Sequence, residues 1–233
     1  MTSSIERVLR WGVAALAGGF IGLAQAGALD LISTTDASQA VRAALEKGSE
    51  RAVALLGRPG GYANDPQLHI PLPDALSKSR RLFKMLGKGD ELDSLEAAIN
   101  RAAEQAVPKG KAVLSDTVKK MTVDDAKNIL TGGDDSVTQF FRKNSRAELM
   151  SKLTPIVDGQ ISELGIARQY DALAGKGAAL GLVKGNDSSL AGYVTDQALE
   201  GLFTMIAREE KAIRADPIGT GSKLLGKVFG ALR

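Results

Sequence analysis

The stretch from Leu190 to Ile213 constrains the fold more than any other part of this 233-residue sequence. Its apolar residues recur at intervals that place them on one side of a helix. One row consists of Leu190, Val194, Ala198, Leu202 and Ile206, with Leu199, Phe203 and Ile213 beside it. So wide an apolar face is typical of a helix that has neighbours on several sides. We therefore predict a helix near the middle of a bundle, ended by Asp216–Pro217.

The remaining apolar patterns of the chain are also helical. Aromatic residues make up only 4% of the sequence, and Ala, Leu, Lys and Glu recur throughout, which favours helices over sheets. The nearest approach to a strand is "LHIPLP" (68–73), whose prolines make it an extended segment instead. We predict an all-α fold, a single-domain bundle of about eight or nine helices.

Two long irregular connections are predicted in this bundle. The first, from Gly57 to Pro73, carries four of the seven prolines, which interrupt helices and strands alike. The second, from Ala174 to Ser189, is rich in glycine. A shorter break is predicted at Thr154–Pro155, with Thr154 as the N-cap of a helix that restarts there.

The motif "GGDDSVTQFF" (132–141) resembles a metal-binding or phosphate-facing loop at first sight. It fails the spacing of a calcium loop, because Gln139 and Ser145 stand where glycine and glutamate are needed. The motif is better explained as a corner between two helices. Gly132 or Gly133 would adopt the left-handed conformation, and Asp134 or Asp135 would cap the next helix.

The N-terminus has the pattern of a secretory signal peptide. Arg7 and Arg10 precede an apolar run at 11–24, and Ala24 and Ala26 supply the small residues of a cleavage site. The run is shorter than the roughly 20 apolar residues of a membrane span. We therefore predict a signal peptide at 1–26, cleavage after Ala26, and a single helical domain at 27–233 that is soluble in the periplasm.

Composition excludes several kinds of partner and cofactor. The chain contains no cysteine, so neither disulfides nor a lipoprotein anchor are expected. The net charge of +3 is small and scattered, and no nucleic acid partner is expected. His69 is the only histidine, and "GSKLLGKV" (221–228) lacks the Ser or Thr that a phosphate loop places where Val228 stands. We predict no metal and no cofactor.

Carboxylates are the remaining candidates for chemistry. Glu200 lies among apolar residues of the predicted central helix, and Glu104 follows Asn100 and Arg101 in "NRAAE". Two such acids would suit a carboxylate-dependent hydrolase, whereas a structural ion pair between Glu200 and an arginine such as Arg101 or Arg168 is the commoner arrangement. The candidate binding residues are Arg101, Glu104, Arg168, Tyr170 and Glu200.

Two segments are both cationic and amphipathic. The first is Ser77–Lys88, and the second is the C-terminal helix predicted within 218–233, with charges at Lys223, Lys227 and Arg233. Such helices either pack on the bundle through their apolar side or lie on an anionic membrane. For both segments we predict packing on the bundle. For the C-terminal helix the reason is that soluble proteins rarely leave a continuous apolar stripe exposed, and peripheral membrane contact is the alternative.

Seven stretches, in this order and across nearly the whole chain after residue 26, resemble an exported bacterial family, domain of unknown function 4197. They are "LGRPGGY", "IPLP", "NRAAEQAVP", "MTVDDAKNILTGGDDSVTQFF", "ARQYDALA", "YVTDQALEGLFTMIAREEKAIRADP" and "LLGKVFG". The resemblance implies a helical fold and a periplasmic location in Gram-negative bacteria. It implies no activity and no catalytic residues.

Together these features favour a non-enzymatic periplasmic protein that binds an apolar small molecule, a lipid or an envelope partner. A carboxylate-dependent hydrolase and a structural envelope factor without a ligand are the alternatives. An apolar pocket would favour binding, a cleft with two facing acids would favour hydrolysis, and a solid core would favour the structural role.

Overall fold

The computed structural model describes residues 32–179 and 189–232, which contain nine helices and no strand. In chain order the helices are α1 (Thr34–Leu56), α2 (Asp74–Met85), α3 (Gly89–Lys109), α4 (Lys111–Lys120), α5 (Ala126–Leu130), α6 (Ser136–Glu163), α7 (Ile166–Ala179), α8 (Leu190–Ala215) and α9 (Lys223–Gly230). The predicted all-α fold is confirmed. The predicted signal peptide at 1–26 and Arg233 lie outside the described residues.

Helix α8 occupies the middle of the bundle, as its wide apolar face predicts. It contacts α1, α3, α6 and α9, and Val194, Leu199 and Ile206 are almost completely buried. Gly48 of α1 allows a close approach, because a Cβ atom there would lie only 3.4 Å from Cγ2 of Ile206. The core is therefore built around one long helix from the last quarter of the chain.

The predicted break at Thr154–Pro155 is wrong, because both residues lie within helix α6. This helix runs without interruption from Ser136 to Glu163, with Pro155 inside it. Thr154 does not cap a new helix, since its hydroxyl donates to the carbonyl oxygen of Met150 at 2.7 Å. Packing against α3, α4 and α8 stabilises the continuous helix, and this outweighs the backbone hydrogen bond that proline removes.

The corner at 132–135 joins two helices as predicted, but the predicted capping is wrong. Asp135 occupies the N-cap position without a side-chain capping bond, and the left-handed glycines in the described residues are Gly60, Gly87, Gly165 and Gly221. The cap comes from α8 instead. The Glu210 carboxylate accepts from the backbone N–H groups of Val137 at 3.0 Å and Thr138 at 2.8 Å. A buried glutamate thus replaces the local aspartates.

The two predicted connections have different outcomes. Residues 57–73 are free of helix, as expected. Residues 174–179 belong to α7, so the second connection begins later than predicted, because Gly175 and Gly177 are accommodated within the helix. Residues 180–188 lie outside the described part of the chain.

Helix α9 packs on the bundle, as predicted, with Leu225, Val228 and Phe229 buried. Ser222 caps its N-terminus by accepting from the Leu225 backbone N–H at 3.3 Å. Lys227 pairs with Asp36 of α1 at 2.7 Å, so one of its three predicted membrane-facing charges is engaged within the protein. Membrane contact through Lys223, Lys227 and Arg233 stays a prediction.

Candidate functional site

A groove of about 210 Å³ lies between α1 and α4. Residues at helical spacing on each of the two helices line it, which leaves a mixed polar and apolar seam where a tighter pair of helices would interdigitate. Its lining consists of Glu46, Ser49, Glu50 and Val53 from α1, and Lys111, Leu114, Ser115, Val118 and Lys119 from α4.

The charges around this groove balance. Glu46 and Glu50 come from α1, whereas Lys111 and Lys119 come from α4. Lys111 Nζ lies 3.5 Å from Glu50 Oε1, and both side chains are more than half exposed. An exposed pair of this kind contributes little to stability, about 0–1 kcal/mol. The rim therefore has no net charge, and its donors and acceptors are exposed.

Ser49 is the most unusual residue of the groove. It is only 5% exposed, and its hydroxyl has no hydrogen-bond partner among the described protein atoms. Buried Ser145, Thr117 and Thr195 differ, because each donates to the carbonyl oxygen four residues earlier. An unsatisfied buried hydroxyl costs about 1–3 kcal/mol. Ser49 thus retains hydrogen-bonding capacity that the fold does not use.

An apolar cavity adjoins the groove, and Val53 and Leu114 line both spaces. The cavity has a volume of about 30 Å³. An apolar cavity that binds benzene has about 150 Å³, so a ligand enters only if a wall moves. The other lining residues come from the α3–α4 junction, α6 and α8: Ala106, Val107, Gly110, Leu153, Ile156, Val157, Thr195, Ala198, Leu199 and Leu202.

The predicted site residue Glu104 holds the connection at 57–73. Its Oε1 accepts from the backbone N–H groups of Tyr62 at 3.1 Å and Ala63 at 3.2 Å. Asn100, one turn earlier on α3, accepts from the N–H of Ile70 and donates to its carbonyl oxygen. These buried side chains satisfy backbone groups that have no helical partner. Glu104 therefore has a structural role.

Helix α8 holds the same connection from the other side. The Tyr62 hydroxyl donates to the Ala198 carbonyl oxygen at 2.8 Å, and complete burial raises the pKa of this tyrosine. Arg208 donates to Asp65 Oδ2 at 2.6 Å. The Arg208 guanidinium, helped by the Gln67 backbone N–H, lowers the pKa of Asp65. We call residues 57–73 the strap, because polar bonds fasten it across α3 and α8.

Glu200 forms ion pairs, as the sequence suggested, but with different arginines. Its carboxylate pairs with Arg142 and Arg146 of α6. Arg146 also pairs with Asp196, one turn earlier on α8. The sequence could not identify these arginines, because the pairing depends on how α6 lies along α8.

The other three predicted site residues have no polar partner within the part of the chain that the structure describes. Arg101 and Arg168 are exposed, and Tyr170 is half-buried against the core. Among the described residues, no hydrogen bond or ion pair joins any two of the five predicted site residues. Their joint role in binding stays a prediction.

Sequence reasoning missed Ser49, although a signal was present. Leu45, Ser49, Ala52 and Leu56 follow one another at helical spacing, and all four are buried. A serine within an otherwise apolar row is either bonded to its own helix or available to something else. The groove itself was not predictable, because its two walls are about 60 residues apart in the chain and meet only in the folded bundle.

Two further properties concern the described residues only. No group of three or more His, Asp or Glu side chains among them is arranged to hold a metal ion. No helix within residues 32–179 or 189–232 has the length and apolar character needed to cross a membrane.

The fold and the groove define a class of protein, an all-helical bundle with a small amphipathic groove beside its core. The family model described as "Protein of unknown function (DUF4197)" matches residues 31–230, and the chain belongs to this family. The comparisons with curated proteins and with solved structures found no match.

Proposed function

We propose that this protein is a non-enzymatic binding protein of the periplasm whose ligand is a small amphipathic molecule held between α1 and α4. The observation that carries the proposal is Ser49, a residue of the groove lining whose buried hydroxyl has no partner among the described protein atoms. A ligand that donates to or accepts from this hydroxyl removes the cost of leaving it unpaired. That gain is available only to a molecule that enters the groove.

The balanced rim determines the chemistry of the ligand head. Two carboxylates and two ammonium groups surround the groove, so a ligand with a large net charge meets as much repulsion as attraction. A neutral, hydroxyl-bearing head avoids this repulsion and can bond with Ser49, Ser115 and the rim charges. We therefore propose a head of this kind.

The adjoining cavity determines the chemistry of the ligand tail. Val53 and Leu114 line both the groove and the cavity, and both side chains are apolar. We infer that movement of the Leu114 side chain joins the two spaces when a ligand binds, since this residue lines both. A short alkyl tail then replaces the contacts that Leu114 gives up. This is a specific form of the expected apolar or lipid ligand.

Carboxylate-dependent hydrolysis is a weaker proposal. Glu104 is bonded to the strap backbone, and Glu200 is paired with two arginines. These contacts engage both carboxylates and explain, without catalysis, why an acid stands at each position.

A binding test uses monooctanoylglycerol, which combines a neutral head bearing two hydroxyls with an eight-carbon tail. Two-dimensional NMR titration of the full chain below the critical micelle concentration is expected to shift the backbone signals of α1 and α4. Ser49→Ala should weaken binding about tenfold, because one buried hydrogen bond is lost. The same variant should raise the melting temperature of the free protein, because an unsatisfied hydroxyl is removed.

The matched control is Ser145→Ala, a buried serine whose hydroxyl is bonded within α6. It should leave the affinity unchanged and should not raise the melting temperature. If signals of α1 and α4 do not respond to the probe, the structural envelope role becomes the better proposal. If Ser49→Ala destabilises the protein, the hydroxyl has a partner and the proposal loses its basis.

The proposed location has a test of its own. We expect the chain recovered from the periplasmic fraction of producing cells to begin at Gly27, because Ala24 and Ala26 fit the cleavage positions. N-terminal sequencing measures this directly. A periplasmic protein that retains Met1 would contradict cleavage, and recovery only in the cytoplasm would contradict export.

A further inference from the structure

The corner between α2 and α3 presents two large apolar side chains to solvent. Met85 is 75% exposed and Leu86 is 53% exposed. Within the described ranges, the other large apolar side chain with comparable exposure is Ile218, which stands alone in the turn between α8 and α9. Adjacent exposed apolar residues are unfavourable in water unless another surface covers them.

Backbone hydrogen bonds fix the conformation of this corner. The Lys88 N–H donates to the Phe83 carbonyl oxygen at 2.8 Å, and the Gly87 N–H donates to that of Lys84 at 3.1 Å. Gly87 has a φ of 69°, the left-handed conformation that this helix ending requires. Phe83 is buried on the inner side. Met85 and Leu86 are therefore held outward by a defined helix ending.

Positive charge surrounds the two apolar side chains. Lys78, Arg81 and Lys84 are exposed and recur at intervals of three on the outer side of α2. Lys78 pairs with Asp74, but Arg81 and Lys84 form no ion pair with any described residue. These cations and the apolar pair make up what we call the corner patch, residues Lys78, Arg81, Lys84, Met85 and Leu86.

The acidic residues at the start of α3 are largely neutralised. Lys88 and Lys176 pair with Glu91, and both hold the pKa of its carboxyl below the ordinary value. Arg80 pairs with Asp93 and with Glu96. Asp90 is the exposed acid without a described partner. The corner patch thus keeps its positive charge.

We propose that the corner patch docks on an anionic phospholipid surface. Met85 and Leu86 enter the boundary between headgroups and acyl chains, while Arg81 and Lys84 contact lipid phosphates. This arrangement covers the apolar pair and neutralises both unpaired cations. The proposal concerns α2 and does not depend on the ligand groove between α1 and α4.

A lipid surface fits the patch better than other partners do. A stable protein interface covers about 800 Å² on each side, far more than the five side chains of the corner patch supply. A nucleic acid would contact Arg81 and Lys84 but leave Met85 and Leu86 in water. An anionic membrane meets both requirements at once.

Site-specific tryptophan fluorescence tests this proposal, because Trp11 is the only tryptophan of the chain. The full chain carrying Trp11→Phe and Leu86→Trp is mixed with phosphatidylglycerol-containing vesicles or with phosphatidylcholine vesicles. We expect a blue shift, and quenching by brominated lipid, with the anionic vesicles only. The effect should fall as salt increases, because surface charges are screened. The matched reporter Ile218→Trp should show neither change.

Charge variants test the role of the cations. Arg81→Gln with Lys84→Gln in the Leu86→Trp protein should weaken vesicle affinity about 25-fold, since each cation near the surface contributes about fivefold. Lys143→Gln, which removes an exposed charge of α6, should leave the vesicle affinity unchanged. The proposal is overturned if residue 86 shows no blue shift, if residue 218 shifts equally, or if the double variant binds as before.

Discussion

Replacing Glu210 by alanine is expected to lower the free energy of unfolding by about 3–5 kcal/mol, the cost of breaking a buried pair by removing one partner. Glu210 is 2% exposed, and its carboxylate accepts five hydrogen bonds, from the N-terminus of α6, the Thr138 hydroxyl and Arg214. Its loss leaves the first turn of α6 without its cap and the Arg214 guanidinium without its counter-ion. Urea unfolding followed by circular dichroism measures the difference.

The neighbouring residue provides a matched control. Glu209→Ala removes a carboxylate 3.9 Å from exposed Arg51, and it should change the free energy of unfolding by about 0.5 kcal/mol or less. The double replacement of Asp134 and Asp135 by alanine should cost about 0.5–1 kcal/mol, because both acids lie near a helix N-terminus without capping it. A Glu210→Ala effect no larger than these would contradict the assignment of the cap.

Replacing Tyr62 by alanine is expected to cost about 3–5 kcal/mol, as for other large buried aromatic side chains. The ring is completely buried between α3 and α8, and its removal leaves a cavity beneath the strap. Tyr62→Phe should cost only about 1 kcal/mol, because it removes the hydrogen bond to Ala198 and keeps the ring. Chemical unfolding of both variants separates packing from hydrogen bonding.

Gly201 packs against the Tyr62 ring, so the energetic coupling between positions 62 and 201 tests this contact. A Cβ atom at Gly201 would lie 2.7 Å from Cε1 of Tyr62, so Gly201→Ala should destabilise the protein by about 1–3 kcal/mol. In the Tyr62→Ala protein the same change should be neutral or stabilising. Gly159→Ala in α6 is the control, because a Cβ atom there meets nothing within 4 Å. This variant should stabilise the protein by about 0.5–1 kcal/mol. Additive effects at positions 62 and 201 would contradict this contact.

Features encoded by local periodicity were predictable from the sequence. Apolar residues repeat at helical intervals in α8, from Leu190 to Ile213, and in α9. This repeat predicted both the helical conformation of the two segments and the burial of their apolar side chains. The prolines of the strap likewise marked it as irregular. In each of these cases the information lies within one segment of the chain.

Features that depend on partners far apart in the chain were not predictable. The cap of α6 comes from Glu210, 72 residues beyond Thr138, and no local signal indicates it. The continuous helix through Pro155 depends on packing that exceeds the local preference of proline. Among the candidate site residues, Glu104 and Glu200 were chosen from their sequence neighbours alone, and their partners required the three-dimensional structure.

The position of α8 in the chain has a kinetic consequence. The core helix is almost the last to be synthesised, and the bond that fastens Tyr62 to Ala198 joins residues 136 positions apart. Until α8 has been synthesised, the Tyr62 hydroxyl lacks its acceptor and the first turn of α6 lacks the Glu210 cap. Contacts between residues so far apart in the chain slow folding, because the loop between them must close first. A nascent chain with this layout is therefore expected to complete its core only after residues 190–215 have been synthesised.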